Sequence, residues 1–422
     1  MGGSHRAGGA TRRIRARGGC ALGLLAAMLC AGPAPAESLF AREALGEWIE
    51  EYDARGETLG STGIGLIDAH NFATINPAAT AFSRKSMGHV GFGSSLRRTG
   101  DGTNEARRPS TYITGLGAHL VLPGGLGLRL TATPATDGAH AVDEPVATGW
   151  EAAGADRRRS EGSRWLLRYA GALTWSRDPD WALAAGLGFY AGSLRDEVSY
   201  AFGDPAQAAG WAPGEERTQL RFHPGTFLTA GGLVRPLAPL TLGAFVAGGA
   251  RLEVTGSYSS SIGGGADRET GHVEIPPGYG AGAALRLGDR WRLSGDLVGR
   301  PWKDAEPAAL ARHRLGAYRN TLRWGVGVER LGSAHPRAGY GSTIAWRAGF
   351  AWIPWYALDE QGDGIDEWRA SLGAGLPVQG DRGSIDLMLA WGRRGSLERH
   401  GIEESYIRFG FGSVFSSVPR GY

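Results

Sequence analysis

The sequence predicts an all-β fold: a 14-stranded antiparallel transmembrane β-barrel with an N-terminal hatch, or plug, inside its lumen. Three observations carry that expectation. The chain opens with an export leader, and no later stretch is apolar enough to cross a bilayer as a helix. Its 70 Gly and 14 Trp sit in a chain of negative mean hydropathy. Apolar residues alternate with small or polar ones over fourteen segments, and period two is the signature of strands. In lipid every backbone N–H and C=O must be paired within the protein. A chain without spanning helices can therefore cross only as a closed barrel.

Residues 1–36 read as a signal peptide. Arg6, Arg12, Arg13, Arg15 and Arg17 form its basic start, Cys20 to Gly32 its apolar stretch, and Ala34, Pro35 and Ala36 its small-residue cleavage site. Leu29 is too large to precede a lipid-bearing Cys30. Both cysteines lie in this leader, so disulfides and thiolate metal sites are excluded from the rest. Removing its five Arg from the formal net charge of +3 leaves −2, which gives no basis for nucleic-acid binding.

Strands are expected near 86–98, 110–122, 124–134, 164–176, 180–197, 218–236, 239–258, 270–288, 291–303, 315–330, 342–354, 366–377, 382–395 and 404–416. Short turns and longer links between them alternate, as they do in barrels with periplasmic turns and outer loops. Trp165 and Trp175 are ten residues apart on one face of the fourth strand. At ~3.3 Å per residue and ~40° of tilt they span roughly 25 Å, the height of an apolar band between aromatic girdles. In the last strand Ile407, Phe409, Phe411 and Phe415 are expected to face lipid and Arg408 the lumen.

Fourteen strands enclose more space than wall side chains alone fill. Residues 37–85 are too long for a linker and too apolar for a disordered tail, so they are expected inside a wall built from 86–422. Phe40 to Ala54 has the spacing of a short amphipathic helix, and Asn76-Pro77 signals a turn. By face, Arg168, Arg292, Arg319, Arg323 and Arg408 point inward, as do Arg251 and Glu253. An arginine fork suits a carboxylate, so the first five are candidates for holding the head group of an amphipathic acid. The plainer reading pairs them with inward acids and plug carbonyls. His89 and His119 are expected inward on neighbouring strands, but no carboxylate pattern accompanies them. No metal or cofactor is expected, nor any Ser–His–acid constellation of an enzyme.

The chain resembles the FadL-type outer-membrane barrels. Gly60, Gly63, Gly65, Asp68-Ala69 and Asn76-Pro77-Ala78 follow the order of that superfamily's hatch, with Gly63, Gly65, Asn76, Pro77 and Ala78 as its motif positions. "GRRGSLERHGIEESYIRFGFGSVF" looks like its closing hairpin, and Pro276 to Trp302 like a mid-barrel hairpin. The resemblance implies passive uptake of long-chain fatty acids or hydrocarbons by a monomer in the outer membrane of a diderm, Gram-negative bacterium. Its implied partners are outer-membrane lipid and a hydrophobic small molecule, with no nucleic acid. The alternative is the superfamily's PorV-like branch, which serves protein secretion or surface attachment without small-molecule transport; the link 135–163 would then meet the partner. An uptake barrel should show a ligand pocket between hatch and wall, and a kink or gap for release.

Overall fold

The computed structural model describes residues 38–42, 44–68, 72–146, 156–177, 180–261, 265–305, 316–333, 335, 337–359, 361–378 and 382–417. The expected leader lies outside them, as do residues 147–155 of the link 135–163.

Alternation makes strands, and the strands close on themselves. The wall comprises β1 (Met87–Gly100), β2 (Glu105–Val121), β3 (Leu126–Asp137, resuming as His140–Pro145), β4 (Arg157–Arg177), β5 (Trp181–Ala201) and β6 (Gly214–Leu237). It continues through β7 (Leu240–Ala247, resuming as Ala250–Ser260), β8 (Gly265–Ile275, resuming as Gly278–Leu287), β9 (Trp291–Arg300) and β10 (Thr321–Arg330). The last four are β11 (Ala345–Leu358), β12 (Gly364–Val378), β13 (Gly383–Ser396) and β14 (Ile402–Ser416). Each pairs antiparallel with its sequence neighbour, and β14 returns to β1 from Glu403↔Gly100 to Ser416↔Met87. The structure among the described residues is therefore a closed 14-stranded antiparallel barrel.

The large apolar residues face outward. Leu187 is 64 % and Phe409 58 % exposed, and Trp175, Trp291, Trp346 and Trp391 stand on the same outer surface. Such a band has no place in water and matches the lipid-facing belt of a spanning barrel. Several strands run past their expected ends, so the link expected at 99–109 shrinks to four residues, 101–104. Ion pairs such as Arg98–Glu105 and Arg157–Asp143 carry the ladders beyond the apolar band.

One region departs from simple alternation. Buried Phe245 and Ala247 are odd-numbered, whereas buried Ala250, Leu252 and Val254 are even-numbered. The strand gains a residue at Gly248–Gly249. β6 does the same at His223–Pro224, where Gly225 pairs Tyr190 but Phe222 pairs Gly192. β8 does it at Pro276–Pro277. Because all three bulge together, their mutual register is kept: Thr229↔Ala247 and Val254↔Phe222 belong to one ladder. The added residue puts Arg251 and Glu253 on the outer surface, not in the lumen as expected from unbroken alternation.

The described residues of the segment before β1 are mostly buried against inward-facing side chains of the wall. The helix expected over Phe40 to Ala54 does not form. The chain makes a 3-10 turn at Phe40–Arg42, positive-φ steps at Ala44 and Gly46, and a two-residue strand, Glu47–Trp48. Among the described residues of the segment, Ala54–Thr58 is α-helical (α1), capped by Asp53, whose carboxylate accepts the Gly56 N–H. Wall contacts outweigh helix propensity, since an extended chain delivers Glu47, Glu50 and Glu51 to arginines on different strands. Beyond α1 the segment touches β7 and β9 through Ile64, Phe245 and Val298, and β5 and β6 through Ala78, Ala182 and Leu233.

Candidate functional site

The Asn76-Pro77-Ala78 turn fastens the segment to the wall. Pro77 opens a single 3-10 turn, and the Asn76 side chain caps it by accepting the Ala78 N–H at 3.0 Å. The Asn76 amide also donates to the carbonyls of Ile64 at 2.9 Å and Gly232, on β6, at 3.2 Å. Arg129, on β3, donates to the carbonyls of Ala73, Thr74 and Asn76. Gly63 and Ile64 give their N–H groups to one oxygen of Asp296, on β9. Gly65 is a close-approach position: a Cβ there would stand 2.9 Å from the Ala283 Cα and the Gly282 oxygen. Gly60 combines φ +68° with similar crowding against β10 and β11. Gly63 has room for a Cβ, so its contribution is its N–H.

The five expected lumen arginines are spread around the interior, not gathered in one site. Arg168 is ion-paired with Glu51 and lies over Phe227. Arg292 is ion-paired with Glu329 and Asp68. Arg319 precedes β10 and donates to the Trp355 and Ile365 carbonyls and the Asp366 carboxylate. Arg323 donates to the Ser61 carbonyl and stacks 4.2 Å from the Tyr52 ring. Arg408 donates to Glu47 at 3.1 Å and lies over Tyr406. Four of the five have carboxylate partners, and three of these draw them from the N-terminal segment. These partners escaped the sequence reading, although five acids between Glu47 and Glu57 were the available signal.

Glu47 is the hub of the densest network. It meets Arg97, Arg394 and Arg408, while Arg394 also meets Glu367 and Glu404. Near the other end of the segment, burial raises the Asp68 carboxyl, but Arg55 and Arg292 outweigh it and hold it well below the usual carboxylate range. The two histidines are buried and separately engaged. His89 stacks on Phe72 at 5.2 Å, and His119 shares a hydrogen bond with Thr80. Among the described residues no cluster of His, Cys, Asp and Glu has the grouping of a metal site.

The wall itself is interrupted between β2 and β3. Their ladder runs from Val121↔Gly127 to Leu116↔Ala132 and stops. The next residues of β3 are Thr133 and Pro134, and Pro134 has no N–H to offer. Beyond it β3 bends away from β2 and takes a new partner: Thr136 and Asp137 pair with Trp48 and Glu47, and the Ile49 N–H bonds the Ala135 carbonyl. Farther along, the Arg108 side chain reaches across to the Ala141 carbonyl.

A cavity of about 90 Å³ lies behind this break. It is bordered by the break residues Tyr112, Thr114, Thr133 and Pro134, and by Ile49 and Tyr52 of the N-terminal segment. Phe92, exposed on the outer face of β1, also borders it. The hydroxyls of Thr114 and Thr133 are buried with no hydrogen-bond partner among the described residues. Sequence reasoning missed this site; Pro134 inside an alternating run was the one signal for it.

Solved structures share this fold. A FadL homologue of Pseudomonas aeruginosa superimposes with a TM-score of 0.61 at 15% identity, covering 88% of this chain and 99% of that one. The toluene transporter TodX of Pseudomonas putida gives 0.56 at 14% identity, covering 88% and 98%. The toluene transporter TbuX of Ralstonia pickettii gives 0.57 at 12% identity, covering 87% and 99%. The fold is thus that of the FadL-type barrels, as the sequence resemblance implied. A family model described as BamG matches residues 254–417, from within β7 to the end of β14. No curated protein matches the chain.

Proposed function

We propose that the chain is an outer-membrane channel for passive uptake of hydrophobic small molecules, with residues 37–85 acting as its hatch. The interrupted β2–β3 wall, with a cavity directly behind it, carries this reading. Glu47, Arg97, Glu367, Arg369 and Arg408 also line this cavity, and a hydrophobic molecule that reaches it can leave sideways into lipid through the break. The likeness of the fold to toluene transporters supports the same class of ligand. Four of the arginines first considered for a carboxylate head group, Arg168, Arg292, Arg323 and Arg408, have a different role in this scheme: they hold the hatch, while Arg319 ties wall to wall.

Thr114→Trp tests it. The indole would fill a cavity of this size. Uptake of radiolabelled toluene and dodecanoate by diderm cells expressing the variant should fall at least ten-fold below cells expressing the parent chain. The folded barrel should persist, seen as its shifted migration on unheated gels. Unchanged uptake with a folded barrel would sink the lateral route.

A further inference from the structure

A second cavity, of about 1560 Å³, opens at the end of the barrel that carries the short turns, the periplasmic end in barrels of this kind. Its arginines fall into two groups. Arg55, Arg292 and Arg347 are ion-paired with Asp68, Glu329 and Asp386. Arg235, Arg286, Arg290 and Arg330 also line it, and no acidic side chain among the described residues stands within ion-pair distance of them. Asp289 is the single unpaired carboxylate among the described lining residues.

The sheet brings the four together. Arg286 lies directly opposite Arg292 in the β8–β9 ladder, and its N–H bonds the Pro239 carbonyl at the β6–β7 turn that follows Arg235. The Arg290 carbonyl accepts the N–H of Leu331, the residue after Arg330. Like charges facing across a ladder destabilise it, and a neutral residue at position 286 would remove the conflict. Farther inside, Arg97, Arg168, Arg369 and Arg394 each have a carboxylate partner. At this mouth the positive charge is left open, in a concave site that concentrates its field.

We propose that this vestibule binds an oxyanionic head group, a carboxylate or phosphate, gripped by Arg235 and Arg286, with Arg290 at the lip. The guanidinium fork matches either oxyanion. The cavity exceeds the roughly 300–1,000 Å³ of ordinary small-ligand pockets, so it admits part of the molecule bearing the head group as well. The site does not depend on the uptake reading: loss of lateral release in Thr114→Trp leaves it intact.

The test is equilibrium binding of octanoate, octyl phosphate, octanol and inorganic phosphate to the full-length mature protein in nanodiscs of zwitterionic lipid, with empty discs subtracted. The charged octyl compounds should bind at least ten-fold tighter than octanol and weaken as salt rises. Arg235→Gln with Arg286→Gln should remove at least ten-fold of that affinity. If the double variant fails to fold, Arg290→Gln, on the open lip, should still cost about three-fold. Octyl phosphate binding ten-fold tighter than inorganic phosphate assigns the site to amphiphiles; equal binding assigns it to the free anion. Octanol binding as tightly as octanoate, or folded variants binding like the parent, would overturn the proposal.

Discussion

At the residue scale the N-terminal segment is held by a few side chains that each serve several backbone groups. Asn76→Ala removes one acceptor and two donations at once, and strands the Ile64 carbonyl. Loss of a cap costs about 1 kcal/mol and an unsatisfied buried group about 1–3. The variant should lose roughly 2–4 kcal/mol in urea unfolding followed by tryptophan fluorescence; a loss below about 0.5 would mean that the turn is no fastening. Asp68 makes a pH-dependent contribution. Its carboxyl is held below its unfolded value, so its ion pairs stabilise fully above about pH 4 and weaken as pH falls further. Protease cleavage within the segment should be constant from pH 8 to 5 and rise below 4. Asp68→Asn should cleave readily at every pH; the same acid-triggered rise in that variant would exclude Asp68 as its cause.

At the element scale, legibility followed the simplicity of the local rule. The outer faces of β4, β5, β9, β10, β13 and β14 could be read because nothing interrupts period two along them. Arg251 and Glu253 could not be placed, because their orientation depends on an added residue that β6 and β8 share with β7. The lumen arginines were visible as inward charges. Their partners were not, since Glu47, Glu50 and Glu51 also fit a helix pattern and only the wall decides otherwise. The shared bulge makes a prediction. Deleting Gly249 alone shifts β7 by one residue against both neighbours, and such a slip exchanges every inward side chain for an outward one. Leu252 and Val254 would be expelled and Arg251 and Glu253 driven inward. The fraction refolding into detergent micelles should drop at least ten-fold by gel shift; near-normal folding would show that β7 tolerates the slip.

At the scale of the whole molecule the barrel and its N-terminal segment are one electrostatic unit. The wall contributes Arg97, Arg300, Arg369, Arg394 and Arg408, and the segment answers with Glu47, Glu50 and Glu57. Deleting residues 38–83 therefore does more than empty the lumen. It leaves these arginines facing water with Glu367 and Glu404 as the remaining counter-charges in this network. Partner removal in a dry interior would cost about 3–5 kcal/mol per pair, but here water floods the vacated space and screens the exposed charge. The truncated barrel should still fold and should conduct at least ten-fold more than the intact chain in planar bilayers. Its reversal potential across a KCl gradient should show anion selectivity, because the surviving lining is arginine-rich. A cation-selective pore would mean that the inward charges are arranged otherwise. Conductance no higher than the parent's would mean that the segment is not what closes the lumen.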